Sequence, residues 1–204
     1  MAELDFDLVS RKIELPTGDL KLLQPEEGAE IPDDGPVEWA PISPYWSILW
    51  RSGVQLAREL SSRPLEDRRV IELGCGLAVP SLAAARAGAV VMATDARPEA
   101  LELVQRNARA NGLRIETAVL EWTDPDELIA STPFDLAIAA DVLYERQSVA
   151  ALLRLLPRLA PEALIADPGR PASHAFVEQA EKHWELETTR SGLVSLYRLR
   201  FGAE

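Results

Sequence analysis

At 204 residues, 47% of them hydrophobic and 26% charged, the chain fits a single globular domain with a large core. A net charge of -12 argues against nonspecific nucleic-acid binding, because a phosphate backbone needs a basic face. No apolar run is long enough to span a bilayer, the N-terminus has no signal pattern, and one cysteine, Cys75, excludes an internal disulfide framework and fits a reducing, cytoplasmic compartment.

In chain order, Lys12-Ile13-Glu14-Leu15 and Asp19-Leu20-Lys21-Leu22-Leu23 alternate around Pro16-Thr17-Gly18, which predicts a β-hairpin. A loop rich in acids, proline and glycine follows over 25–44, as surface or lid material. Tyr45, Trp46 and Trp50 then lead into an amphipathic helix over about 48–60. From Arg69 onward strands and helices alternate. Strands are predicted at 69–74, 90–95, 114–120, 134–140 and 162–167, and helices at 79–87, 97–111, 147–159 and 173–183, with a weaker one near 125–130. Two further strands at 185–190 and 193–201 close the chain around Ser191-Gly192. The pattern predicts a doubly wound, mostly parallel, Rossmann-like α/β sheet of seven strands with an antiparallel edge strand. Residues 1–60 form a hairpin-and-helix extension, and 61–204 the ligand-binding core of one structural domain.

The run Val70-Ile71-Glu72-Leu73-Gly74-Cys75-Gly76-Leu77-Ala78-Val79-Pro80 carries the most information. It reads as a buried strand, an acid, a glycine turn and a helix opened by proline. A second strand, Val90-Val91-Met92-Ala93-Thr94-Asp95, ends in another carboxylate. A dinucleotide fingerprint wants a small residue at the sixth position from Gly74, and Val79 stands there. No Lys-Ser/Thr pair follows the loop, which excludes a P-loop. A ligand without phosphate, with ribose hydroxyls and a cationic amino-acid end, suits two carboxylates and bare glycines; S-adenosylmethionine is such a ligand. A tight turn holding no ligand is the plainer alternative.

In an open α/β sheet the ligand lies beyond the carboxyl ends of the strands, so the loops after them are the ones to read. Glu72 either holds the methionyl ammonium or accepts from loop amides, and the two roles are compatible. Asp95 either takes both hydroxyls of a ribose or caps the helix starting near Arg97. Ala96 follows it at the same strand end. Cys75 is a packing residue or, with no partner in sequence, a nucleophile. After the third core strand, Glu121 is placed to accept from the adenine amine, and Trp122 to flank the purine or pack at the edge. Asp141 and Tyr144 are three apart, and a helical turn would put both on one side, facing the sulfonium and an amine nucleophile. In Asp167-Pro168-Gly169-Arg170-Pro171 two prolines stiffen a loop, and Arg170 either contacts substrate or pairs with a carboxylate. His174 and His183 lack ligand-like spacing, so no metal site is expected.

Together these residues resemble the seven-β-strand, class I S-adenosylmethionine-dependent methyltransferases, over roughly residues 45–204. Glu72-Leu73-Gly74-Cys75-Gly76 is similar to the first motif of that class, and Asp141-Val142-Leu143-Tyr144 resembles the D-x-x-Y motif of its protein lysine methyltransferase branch. Pro44 to Trp50, Glu121-Trp122 and Asp167-Pro168-Gly169-Arg170-Pro171 are similar to the sub-branch acting on the β-subunit of electron-transfer flavoprotein, with its bacterial relatives. The resemblance implies methyl transfer to a lysine of a protein. Trp50, Gly74, Asp95 and Trp122 would contact the cofactor, Asp141 and Tyr144 would flank the acceptor, and Trp46 and Arg170 are substrate-side candidates. A small amine as acceptor, or a nucleoside-binding relative without catalysis, are the alternatives, and a monomer or weak homodimer is expected. Two departures stand out: Ala78 where many members have Gly, and Arg51 where relatives often have Pro.

Overall fold

A computed structural model describes residues 7–26, 45–123, 125 and 133–202. The N-terminal hairpin pairs β1 (Leu8–Ile13) with β2 (Leu20–Pro25), Ile13 facing Leu20 and Leu8 facing Pro25. Its first strand therefore starts and ends earlier than the alternation predicts. Leu15 belongs to the connection, where its carbonyl accepts from Gly18 N at 3.1 Å. The 25–44 loop lies outside the described residues from position 27 on. A short 3-10 turn at Tyr45–Ser47 then leads to α1 (Arg51–Ser61), whose buried Gly53, Leu56, Ala57 and Leu60 recur at helical spacing.

The core follows as β3 (Arg69–Leu73), α2 (Val79–Arg86), β4 (Val90–Asp95), α3 (Pro98–Ala110), β5 (Glu116–Val119), β6 (Leu136–Ala140), α4 (Arg146–Leu159), β7 (Glu162–Asp167), α5 (Pro171–Ala180), β8 (Glu185–Ser191) and β9 (Val194–Arg200). The sheet has the order β5-β4-β3-β6-β7-β9-β8. Order reverses between β3 and β6, and an open α/β sheet takes its ligand in the crevice beyond the carboxyl ends at such a switch point. The two faces carry separate cores. Val70, Val91, Ile138 and Leu164 pack toward α1, α2 and α3, while Ile71, Leu73, Ala139 and Ile165 pack toward α4 and α5. Strands buried on both sides explain why their sequences read as continuous apolar runs rather than alternations.

Two boundaries shift. The strand expected at 114–120 narrows to β5, and α5 starts at Pro171, two residues early, because proline suits the first helical turn. The closing pair forms the antiparallel edge expected of it, with β9 between β7 and the edge strand β8 and pairing antiparallel with both. The weak helix near 125–130 lies outside the described residues apart from Pro125, which is not helical.

The hairpin is held to the core by two asparagines four residues apart, Asn107 in α3 and Asn111 at its C-terminal cap. Asn107 Oδ1 accepts from Leu23 N at 2.6 Å while its Nδ2 donates to Leu23 O at 3.0 Å. Asn111 repeats the pattern on Lys21, at 2.9 and 2.7 Å. Residues two apart on a strand present their backbone to one side, so the two carboxamides stand in for a neighbouring strand along the open edge of β2. Asn107 is fully buried. Its replacement by Ala leaves the partly buried Leu23 amide and carbonyl without these partners, so Asn107→Ala is expected to destabilise the fold by about 2–3 kcal/mol and lower Tm by roughly 5–10 °C. Scanning calorimetry checks this, and a shift under about 1 °C would show that the hairpin is held otherwise.

Candidate functional site

The loop from β3 to α2 is shaped by its small residues. Gly74, Gly76 and Ala78 have φ of 64°, 49° and 55°, the left-handed region where a Cβ is costly. This accounts for the departure at Ala78: the position favours glycine, and alanine is the smallest side chain that bears the strain. At Gly76 an added Cβ would lie 2.9 Å from the carbonyl oxygen of Trp46. At Gly74 it would lie 3.2 Å from both the Trp122 ring and Val142. The loop thus sits between the Trp46–Trp50 segment, the residue after Asp141, and Trp122. These are the parts of the chain that the sequence reading assigned to one site.

Two carboxylates shape the loop from beneath. Asp95 Oδ2 accepts from Gly76 N and Oδ1 from Arg97 N, both at 2.9 Å. It therefore holds the glycine turn and the entry to α3 together, with Ala96 exposed at the turn. The carboxylate keeps acceptor capacity for a sugar hydroxyl. Burial lifts the Asp95 carboxyl above its ordinary range, against the opposing bonds from the Gly76, Arg97 and Ala96 amides. Cys75 N donates to Thr94 O at 2.9 Å, and Thr94 Oγ1 to Glu72 O at 2.6 Å, which clamps β3 against β4 at the loop. The Cys75 thiol is buried and pushed up by that burial, the opposite of an activated nucleophile.

Glu72 is only 1% exposed and accepts from the amide of Ser81 at 3.0 Å and from the Ser81 hydroxyl. Its geometry is that of the amide-accepting alternative, tying the end of β3 to the first turn of α2. Burial pushes its carboxyl up to about 8, well above the ordinary 4.5, although the Ser81 bonds oppose the shift. The folded state then holds this proton more tightly than the unfolded chain does. The Glu72 contribution to stability is complete at low pH and is lost as pH rises from about 4.5 through about 8. Glu72→Gln keeps an acceptor for Ser81 and removes the titration. Its melting temperature relative to the wild type is expected to rise between pH 5 and pH 8.5; parallel melting curves across that range would contradict the assignment.

On the other side of the crevice, Asp141 has φ of 58°, so the chain turns sharply out of β6 and α4 begins only at Arg146. The helical turn that would set Asp141 and Tyr144 on one side is not formed. Asp141 is 9% exposed, whereas Tyr144 is 57% exposed on the surface of the loop. A non-glycine residue in the left-handed region, held by Asp141 N donating to Ala166 O at 2.9 Å, marks a position whose strain the surroundings enforce. Arg170 Nη2 donates to Asp141 Oδ1 at 2.7 Å, and its guanidinium lies 5.4 Å from the centre of the Trp50 ring. Asp167 Oδ1 accepts from Gly169 N and Arg170 N, which shapes the loop after β7. Trp50 stands just before α1, its Nε1 donating to Tyr45 O at 3.2 Å. Glu121 is exposed beside the half-buried Trp122.

The pieces fit an adenosyl amino-acid cofactor. The left-handed glycine turn brings backbone rather than side chains to the strand ends, the Asp95 carboxylate closes the neighbouring strand, and the rings of Trp50 and Trp122 lie at the same end of the sheet. At this corner the buried Asp167 Oδ2 and Arg170 Nε have no hydrogen-bond partner among the described residues. The sequence does not reveal the roles of Ser81, Thr94 and the two asparagines, since each acts on a group in another element of the fold.

A family model for lysine methyltransferases matches residues 46–182. The chain belongs to the lysine methyltransferase family. S-adenosylmethionine is the cofactor of this family. Among the curated relatives of this family member, the electron transfer flavoprotein beta subunit lysine methyltransferase of Danio rerio is 32% identical over 146 residues, 67% of this chain and 55% of that protein. The histone-arginine methyltransferase METTL23 of Xenopus laevis is 32% identical over 129 residues, 58% of this chain and 55% of that protein. The chain spans little more than half the length of these relatives. A solved 16S rRNA N2 G1207 methyltransferase of T. thermophilus, in complex with AdoMet and guanosine, shares the fold at a TM-score of 0.68 and 15% identity, over 98% of this chain and 52% of that one. A TehB-like methyltransferase from Corynebacterium glutamicum shares it at a TM-score of 0.59 and 20% identity, over 72% and 87% of the two chains.

Proposed function

We propose that this chain transfers the methyl of S-adenosylmethionine to a lysine side chain of a protein. The observation that carries it is the meeting of Asp95, the Gly74–Gly76 loop and Asp141 around one crevice, in a chain of the lysine methyltransferase family. Bound there, the cofactor supplies an electrophilic methyl on a sulfonium. Asp95 would take the ribose hydroxyls; Gly74 and Gly76, with Cys75 between them, would let the methionyl end lie against backbone. Ala96, Glu121 and Trp122 would border the adenine. Trp50 would close over the methionyl end, and Trp46, Asp141, Tyr144 and Arg170 would line the acceptor side. Transfer needs nitrogen, methyl and sulfur in line with water excluded, so positioning by these groups does most of the work. The attacking amine must be neutral, and burial of the acceptor side chain on docking would favour loss of its proton.

The acceptor class separates this reading from its neighbours. Relatives of equal identity carry names for both lysine and histone-arginine transfer, so the protein acceptor rests on the family and the exposed Tyr144 rim rather than on one relative. A net charge of -12 disfavours a nucleic-acid acceptor and suits a cationic protein surface. Residues 1–60 would serve as an extension over the 61–204 core, in a cytoplasmic chain acting as a monomer or weak homodimer. Incubation with methyl-labelled S-adenosylmethionine and cell extract, followed by mass spectrometry of labelled bands, tests the proposal. Methyl-lysine in a protein band is expected. Label confined to small molecules would favour the small-amine reading, and no S-adenosylhomocysteine at all would leave a fold relative without catalysis.

A further inference from the structure

The ion pair of Asp141 and Arg170 closes one wall of the crevice and bridges 29 residues of sequence at 2.7 Å. Arg170 is held from both sides of its backbone. Its amide donates to Asp167 Oδ1 at 2.9 Å, and its carbonyl accepts from Ser173 N at 3.0 Å and Ser173 Oγ at 2.7 Å. Pro168 and Pro171 remove freedom on either flank, and the guanidinium rests over Trp50. A side chain restrained this way, on a helix start buttressed by Ser173, is a standing part of the wall. The side chain of Asp141 is 6% exposed and that of Arg170 25%, so water screens the pair only in part.

The wall stands at the glycine loop, because Val142, next to Asp141, lies 3.2 Å from where a Cβ on Gly74 would be. A bare carboxylate there would capture an incoming ammonium as an ion pair, and an ammonium has no lone pair with which to attack. A carboxylate already neutralised by a fixed guanidinium withdraws that attraction, and the guanidinium disfavours a second cation nearby. Asp167, the other carboxylate of this corner, is turned to its own loop amides through Oδ1 and is buried.

We infer that Arg170 is a positioning residue of the acceptor side: through Asp141 it sets the local potential so that a neutral amine is admitted in preference to an ammonium. This rests on the methyl-transfer reading above. It assigns the two alternatives for Arg170, loop-holding partner and substrate-side group, to one arrangement, in which the partner role is what acts on the substrate.

The test needs no acceptor protein. S-adenosylhomocysteine and sinefungin, an analogue with a charged amine where the transferable methyl would be, are titrated into the wild type, Arg170→Met, Arg170→Lys and Asp141→Asn at pH 7. The quantity read is the affinity for sinefungin relative to that for S-adenosylhomocysteine. Arg170→Met is expected to raise this ratio about tenfold, since the ammonium then meets an unneutralised carboxylate. Arg170→Lys is expected to stay within about threefold of the wild type, and Asp141→Asn to fall below it. A merely structural Arg170 would weaken both ligands together. An unchanged ratio in Arg170→Met overturns the inference, and should that variant not fold, an unchanged ratio in Asp141→Asn does so. Failure of the wild type to bind S-adenosylhomocysteine would instead overturn the methyl-transfer reading, and the inference with it.

Discussion

Asp95→Ala is expected to lower the affinity for S-adenosylhomocysteine by about a hundredfold or more, measured by calorimetry, while the protein stays folded. Two effects combine. The ribose loses a charged acceptor for its hydroxyls, each such bond contributing roughly 1.5–3 kcal/mol. In addition, Gly76 N loses the acceptor that holds it at 2.9 Å, and the left-handed turn is released. Asp95→Asn separates the two, because an amide oxygen still accepts from one loop amide but carries no charge. It is expected to fall between the wild type and Asp95→Ala. Full affinity in Asp95→Ala would mean that the carboxylate only fastens α3 through Arg97 N.

The second large effect is expected on turnover. Asp141→Ala should reduce the methyl-transfer rate by about a hundredfold, with affinity for S-adenosylhomocysteine within about threefold of the wild type. The reason is positional. Asp141 leaves β6 in a left-handed conformation that aims its carboxylate at Arg170, and without it the guanidinium becomes an unpaired, partly buried cation at the acceptor wall. A one-turnover assay with labelled cofactor measures this once an acceptor is in hand. Equal loss of binding and rate would place Asp141 on the cofactor side instead.

Why part of this architecture is legible in sequence and part is not follows from how local each signal is. Val70 to Leu73 reads as a strand because both of its faces are buried, and Gly74 and Gly76 read as a turn because no other residue takes those angles easily. Asp95 stands out because a carboxylate at a parallel strand end has few reasons to be there. These are properties of neighbouring residues. Insertion of β9 between β7 and β8 is set by pairing across the sheet, which the pattern of the last two strands cannot encode. The Asn107 and Asn111 brace serves β2, more than eighty residues earlier, and resembles any polar helix face until the hairpin is docked. Asp141 and Tyr144 show the limit most clearly. Their spacing suits a helix, but the ion pair with Arg170 and the bond from Asp141 N to Ala166 O draw the first residue inward and leave the second outside. Long-range partners override local periodicity at the site itself, where function most often tolerates strain.

The central claim is that the crevice beyond Gly74 receives an adenosyl amino acid with its sugar on Asp95. A crystal structure of the chain with S-adenosylhomocysteine tests it most directly. The account predicts both ribose hydroxyls within about 3 Å of the Asp95 carboxylate oxygens, and the homocysteine sulfur turned toward Asp141 and Arg170. Ribose density elsewhere, with Asp95 touching only Gly76 and Arg97, would contradict it.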